Sequence, residues 1–205
     1  SRDGFLFESE GLTADRAQLL APALACEDVE GSYSGRVNWS GGAISVSTEL
    51  NCAAKVLLCL GERFDGPFHA KAEASASFRP STGRVALESL KALCDLGGGN
   101  RIMLGTEGEV AFVRKNGAYS FEPTGAKLKA YTSAPFDLTP YDRILPFSSE
   151  GLDLDLLYQI ELTQETPKLR GHAAGGITDS RTHLKIFDFA SNFSSEEISG
   201  IRAFT

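Results

Sequence analysis

The stretch Leu152–Leu162 constrains the fold more than any other part of this chain. Leu152, Leu154, Leu156, Tyr158, Ile160 and Leu162 put an apolar side chain at every second position. Between them stand Asp153, Asp155, Leu157, Gln159 and Glu161, and Leu157 alone breaks the alternation. Side chains of an extended strand point alternately to its two faces, so this segment has one apolar and one polar face. Wound as a helix, it would scatter the same leucines around the whole circumference. Extended, it covers about 36 Å at roughly 3.3 Å per residue, longer than a usual strand. A chain organised around it is expected to be all-β and to bury or present one apolar sheet face.

The rest of the chain repeats this texture. Val29–Trp39 and Ala43–Leu50 alternate on either side of Ser40-Gly41-Gly42 and read as a hairpin. Asn51–Leu60 is more continuously apolar, and its periodicity fits a buried strand or a helical turn equally well. Gly61 to Pro67 reads as a loop. Phe68–Phe78 is the second clean alternation, and Arg84–Leu90, Arg101–Leu104, Glu109–Val113, Ala118–Phe121 and Ala126–Tyr131 are shorter strands. Asn116-Gly117 is the strongest local hairpin signal. Ser133–Pro146 holds Pro135, Pro140 and Pro146 and is expected to cross outside the central sheet. Lys168–Ala173 and Thr182–Phe189 complete a count of about eleven strands, at the spacing of an all-β meander. Two short helices are expected: Thr13–Leu20, with Thr13 as N-cap and Pro22 as stop, and one after Ser194/Ser195. The expected fold is therefore a single all-β domain over residues 1–205: a long antiparallel meander forming a curved sheet, a barrel or a sandwich.

Charge narrows the partners. Lys plus Arg is 20 against 27 for Asp plus Glu, a net charge of −7. That balance speaks against nucleic acid, whose phosphates require clustered cations, and against adhesion to anionic lipid. No apolar run approaches a transmembrane span. No secretory leader opens the chain at Ser1-Arg2-Asp3-Gly4, so export is expected to depend on a leader or anchor preceding this numbering. The four cysteines, Cys26, Cys52, Cys59 and Cys94, fit either disulfides or buried thiols, and their spacing is not that of a zinc knuckle. In an exported protein at least one disulfide is expected, with Cys52 and Cys59 the closest pair in sequence.

Catalytic signatures are missing. There is no Gly-x-Ser-x-Gly elbow, phosphate loop, dinucleotide fingerprint or His-Glu-x-x-His motif. Asp153 and Asp155 read as a solvated face, since they lack a third close carboxylate. His69 and Glu73 share a strand face four positions apart, and a barrel or sandwich enzyme with a site near them is the alternative reading. Asn38-Trp39-Ser40 and Asn192-Phe193-Ser194 match the glycosylation triplet, which matters only in a eukaryotic secretory protein. No cofactor and no metal is expected.

The candidate binding residues lie on Phe68–Phe78. Phe68, Ala70, Ala72, Ala74, Ala76 and Phe78 face one way, and His69, Lys71, Glu73, Ser75 and Ser77 face the other. Alanine is a poor strand former, so four of them in a row on one face require a reason. Either a bulky element packs closely against them, or they floor a groove that leaves room for an acyl chain, with a phenylalanine at each end.

The rhythm Gly31-Ser32-Tyr33-Ser34-Gly35-Arg36-Val37-Asn38-Trp39-Ser40-Gly41-Gly42, and Leu152–Leu162 leading into Leu169-Arg170-Gly171 and Gly175-Gly176-Ile177, resemble AsmA-like bacterial envelope proteins, a group that includes the type II secretion protein N. The resemblance covers about half the chain and has no diagnostic residue. It implies a periplasmic, membrane-tethered sheet, with an apolar groove for a lipid acyl chain or an envelope protein partner, and no catalysis.

Overall fold

The computed structural model describes residues 3–18, 24–115, 117–163 and 169–195. They form one antiparallel sheet of twelve strands. In chain order these are β1 (Asp3–Gln18), β2 (Leu24–Ser40), β3 (Ala43–Cys59), β4 (Glu62–Arg79), β5 (Arg84–Asp95), β6 (Arg101–Glu107), β7 (Val110–Lys115), β8 (Ala118–Glu122), β9 (Lys127–Thr132), β10 (Leu152–Leu162), β11 (Leu169–Asp179) and β12 (Lys185–Ser195). One 3₁₀ turn, Thr139–Tyr141, is the only helical element among the described residues.

Along the main path each strand pairs antiparallel with the next, and the path runs β1 to β6, then β9 to β12. The β7–β8 hairpin leaves this path: β5 pairs with β6 through Lys91–Asp95 and with β7 through Arg84–Leu87. β1 and β12 end this path, β8 leaves its outer edge unpaired, and no pairing among the described residues closes the sheet into a barrel. Tight turns set the meander. Between β2 and β3, Gly41 and Gly42 have φ of 59° and 75°, the left-handed pair that a two-residue hairpin needs and that glycine adopts without steric penalty.

Several expectations are corrected. Thr13–Leu20 is not a helix: Thr13, Ala14, Arg16 and Ala17 lie in β1 opposite Glu30, Val29, Glu27 and Cys26. An eight-residue helix is marginal on its own, and the long neighbour β2 offers a full ladder of hydrogen bonds instead. Leu19, Leu20 and Pro22 lie outside the described residues. Asn51–Cys59 is strand, continuous with Ala43 in β3. The segment from Glu62 to Pro67 is not a loop but the start of β4, joined to the rest by a register shift opposite Ala54/Val56. Thr182 and His183 sit in the turn before β12, not in the strand. Ser194 and Ser195 end β12, and the remainder of the expected terminal helix lies outside the described residues, as do Asn116 and Lys168.

Among the described residues no second layer covers the sheet. Every sizeable contact between strands joins ladder neighbours. The accessible surface is 13528 Å², whereas a compact 22.0 kDa chain exposes about 9,300 Å². The main apolar cluster is local. Val110, Ala126 and Leu162 pack with Leu87, Phe112, Phe121 and Leu128 where the β7–β8 hairpin meets β5, β9 and β10. Arg84 pins that hairpin, donating from Nε to Glu122 at 2.5 Å and from Nη2 to Glu109.

Candidate functional site

Directly opposed residues in an antiparallel ladder share a face. Read across the strands, this rule joins Tyr33, Leu50, Ala72, Ala92 and Leu104 in one row. The same row continues through Ala130, Tyr158 and Ala173. It crosses β2 to β6 and β9 to β11 without a charged residue. Leu50, Leu104 and Tyr158 in its middle are 37%, 43% and 37% exposed, values that a covering layer would not leave. The apolar positions of Leu152–Leu162 belong to this face, because Tyr158 lies in the row and Ile160 and Leu156 flank it along β10.

The alanine stripe occupies the centre of the same face. Ala70, Ala72, Ala74 and Ala76 are half-buried. Their neighbours on β3 are Cys52, Leu50, Thr48 and Val46, and those on β5 are Cys94, Ala92, Leu90 and Leu87. The stripe is thus a furrow beside larger residues on β3 and on β5, open toward β6 at Ala92. Phe78 closes one end between Ile44 and Val85 and is half-buried. Phe68 closes the other and is 8% exposed.

The Pro-rich crossing lies at that end, where Thr139, Pro140 and Tyr141 line a hollow together with Phe68. Phe136 and Leu138, both buried, extend the sheet beside β10: the Leu138 N–H donates to Leu152 O at 2.8 Å and the Leu154 N–H to Phe136 O at 2.7 Å. The chain then doubles back. Tyr141 packs on Phe136 and Phe64, with ring centroids 5.9 and 5.6 Å apart. Two side chains hold the crossing in place. Asn100, itself buried, donates to Asp137 O at 2.7 Å and accepts from Asp137 N at 2.8 Å. Ser149 Oγ donates to Leu138 O at 2.9 Å. The furrow therefore runs from an aromatic cap at Phe68 to the hairpin cluster beside Phe78.

The far side of the sheet is also aromatic. Phe193 reaches over Gly171, and a side chain there would collide with its ring. Phe193 also stacks on Tyr158 at 5.6 Å. Phe189 occupies the space beside Gly175 in the same way, as Phe7 does beside Gly35. Bare glycine backbone faced by an aromatic ring on the next strand keeps this face flat and apolar.

All four cysteines are free and partly buried. Cys52 and Cys59 cannot pair: both lie on β3, seven positions and so about 23 Å apart, against a few ångströms for a disulfide. Burial pushes the Cys26, Cys52 and Cys94 thiols above their ordinary value, and Cys94 and then Cys52 add to the effect at Cys26. These are protonated apolar groups on the sheet rather than nucleophiles.

His69 and Glu73 do not come together. Their shared strand keeps them about 13 Å apart. Glu73 instead accepts from Lys71 at 2.8 Å. His69 lies opposite Asp95, whose carboxyl is held below its ordinary value by the Gly97 amide, then by Arg101 and least by His69. Among the described residues, no group of three His, Cys, Asp or Glu side chains is placed to hold a metal ion.

Comparison with protein families, with curated proteins and with solved structures gives no match to this chain. The described residues define a class of architecture, an open single-layer antiparallel sheet with one apolar face. Sequence reading placed Phe68, Ala70, Ala72, Ala74, Ala76 and Phe78 on one strand face, and the register keeps them there. It missed Leu50, Leu104, Ala130 and Tyr158 as parts of the same surface. Each lies in a recognisable strand, but only the register shows that they form one row.

Proposed function

We propose that this protein is a non-enzymatic component of a cell envelope that holds a lipid acyl chain against its open apolar face. The observation that carries the reading is the uncharged row from Tyr33 to Ala173, left uncovered at its centre. Exposed contiguous apolar surface on a folded chain marks a site for lipid or protein. The furrow over Ala70–Ala76 suits a linear chain better than a globular partner, because it is narrow, bounded by Leu50 and Leu90, and capped at Phe68. The periplasmic location and membrane tether are part of the same proposal and rest on the resemblance to AsmA-like proteins. No helix among the described residues is long and apolar enough to cross a membrane.

Mass spectrometry of an organic extract of the protein, purified natively without detergent, tests the proposal. It predicts co-purified lipid in near-stoichiometric amount. Protein that carries no lipid and binds no added lysophospholipid contradicts it. Protein that carries no lipid but holds a protein partner through Leu50 and Leu104 replaces the acyl chain by that partner.

A further inference from the structure

Leu157 is the single residue that breaks the alternation of Leu152–Leu162, and the apolar face does not account for it. It points to the opposite, polar face. There the register sets it opposite Tyr131, Tyr131 opposite Met103, and Met103 opposite Leu93. Four strands thus each place one large apolar side chain in a line about 14 Å long on a face that is otherwise mostly polar. The line floors a trough of about 620 Å³, within the size range of small-molecule sites. Its next row is Lys91, Gly105 and Lys129. Gly105 has no side chain, so a notch opens between the two lysines. Lys129 is held by Glu107 at 2.5 Å. Lys91 is free of ion pairs among the described residues, because Glu73, directly across the ladder, turns to Lys71 instead.

The geometry points to a second site on this face, for a small apolar acid. Its aromatic or branched aliphatic body lies on Leu93, Met103, Tyr131 and Leu157. Its single carboxylate or sulfonate sits over Gly105, paired with Lys91. The occupant is short, because the line meets Lys71 beyond Leu93 and beyond Leu157 shrinks to the small side chains of Ala174 and Ala190. It is anionic, because the one unpaired charge at the notch is a cation. This site does not rest on the acyl-chain reading, since it uses the other face of the sheet.

Two fluorescent probes of similar shape test it: 8-anilinonaphthalene-1-sulfonate, which is anionic, and N-phenyl-1-naphthylamine, which is neutral. The expected result is that Lys91→Gln weakens the sulfonate roughly three- to fivefold, the upper range for an exposed ion pair, and leaves the neutral probe unchanged. Gly105→Val fills the notch. Its new Cβ meets only Leu90 O at an ordinary 3.5 Å, so the strand tolerates it while sulfonate binding falls. Ala72→Leu, on the other face, leaves the sulfonate unaffected. Thermal melts confirm that each variant is folded. Sulfonate binding that is absent, or indifferent to both Lys91→Gln and Gly105→Val, or lost in Ala72→Leu, overturns the inference.

Discussion

Ala72 and Ala74 carry the most specific demand at the scale of single residues. An alanine on a strand gains little from burial, so a site that keeps four of them is using their small size. No strand beyond the ladder neighbours β3 and β5 makes a sizeable contact with β4. Ala72→Leu and Ala74→Leu are therefore expected to change stability by no more than about 0.5 kcal/mol, as at an uncrowded site. Both should reduce uptake of a fluorescent lysophospholipid, because the new side chains fill the furrow. A loss of roughly 1–3 kcal/mol in chemical denaturation would signal overpacking against a covering element and would argue against an open face. The stripe itself was legible in the sequence, since a period of two over Phe68–Phe78 leaves one answer. Its neighbours were not. Which β3 and β5 residues flank Ala72 depends on register, and the Ser75/Ala76 shift, where the partner jumps from Ser89 to Leu87, has no signature in the residues themselves.

Among the elements, the crossing from Ser133 to Ser149 matters most, because it decides where the furrow ends. Its prolines remove ladder donors, which is why the segment read as outside the central sheet. The sequence did not show that Phe136 and Leu138 would still extend the sheet edge, or that Asn100, thirty-seven positions before Asp137, would hold them. Asn100→Ala removes both hydrogen bonds to Asp137 and leaves two part-buried backbone groups without that partner, a loss of about 1–3 kcal/mol. Native-state hydrogen exchange should show faster opening of residues 136–154, with the β2–β3 ladder unchanged. Uniform protection in the variant would mean that the aromatic packing of Phe64, Phe136 and Tyr141 alone secures the crossing. Thr13–Gln18 illustrates the opposite outcome. Its N-cap and acidic first turn are real helix signals, but a ladder partner as long as β2 outweighs a propensity worth a fraction of a kcal/mol per residue.

At the scale of the whole molecule, the described residues form a single sheet that exposes one apolar face, and the proposed function follows from what that face takes up. Leu152–Leu162 announced both the sheet and its two-sidedness, and its bounds in the sequence are those of β10. The open form was not legible, because alternation looks the same in a barrel, a sandwich and a free-edged sheet. The most direct test is to place a paramagnetic label where the acyl chain should lie. A lysophospholipid with a nitroxide on its chain, added to protein with labelled methyl groups, should broaden the Ala72, Ala92 and Ala130 methyls. It should broaden Leu93, Met103 and Leu157, farther away on the other face, distinctly less. Broadening confined to the Leu93–Leu157 side, or none at lipid saturation, would contradict the claim that the apolar face is the lipid site.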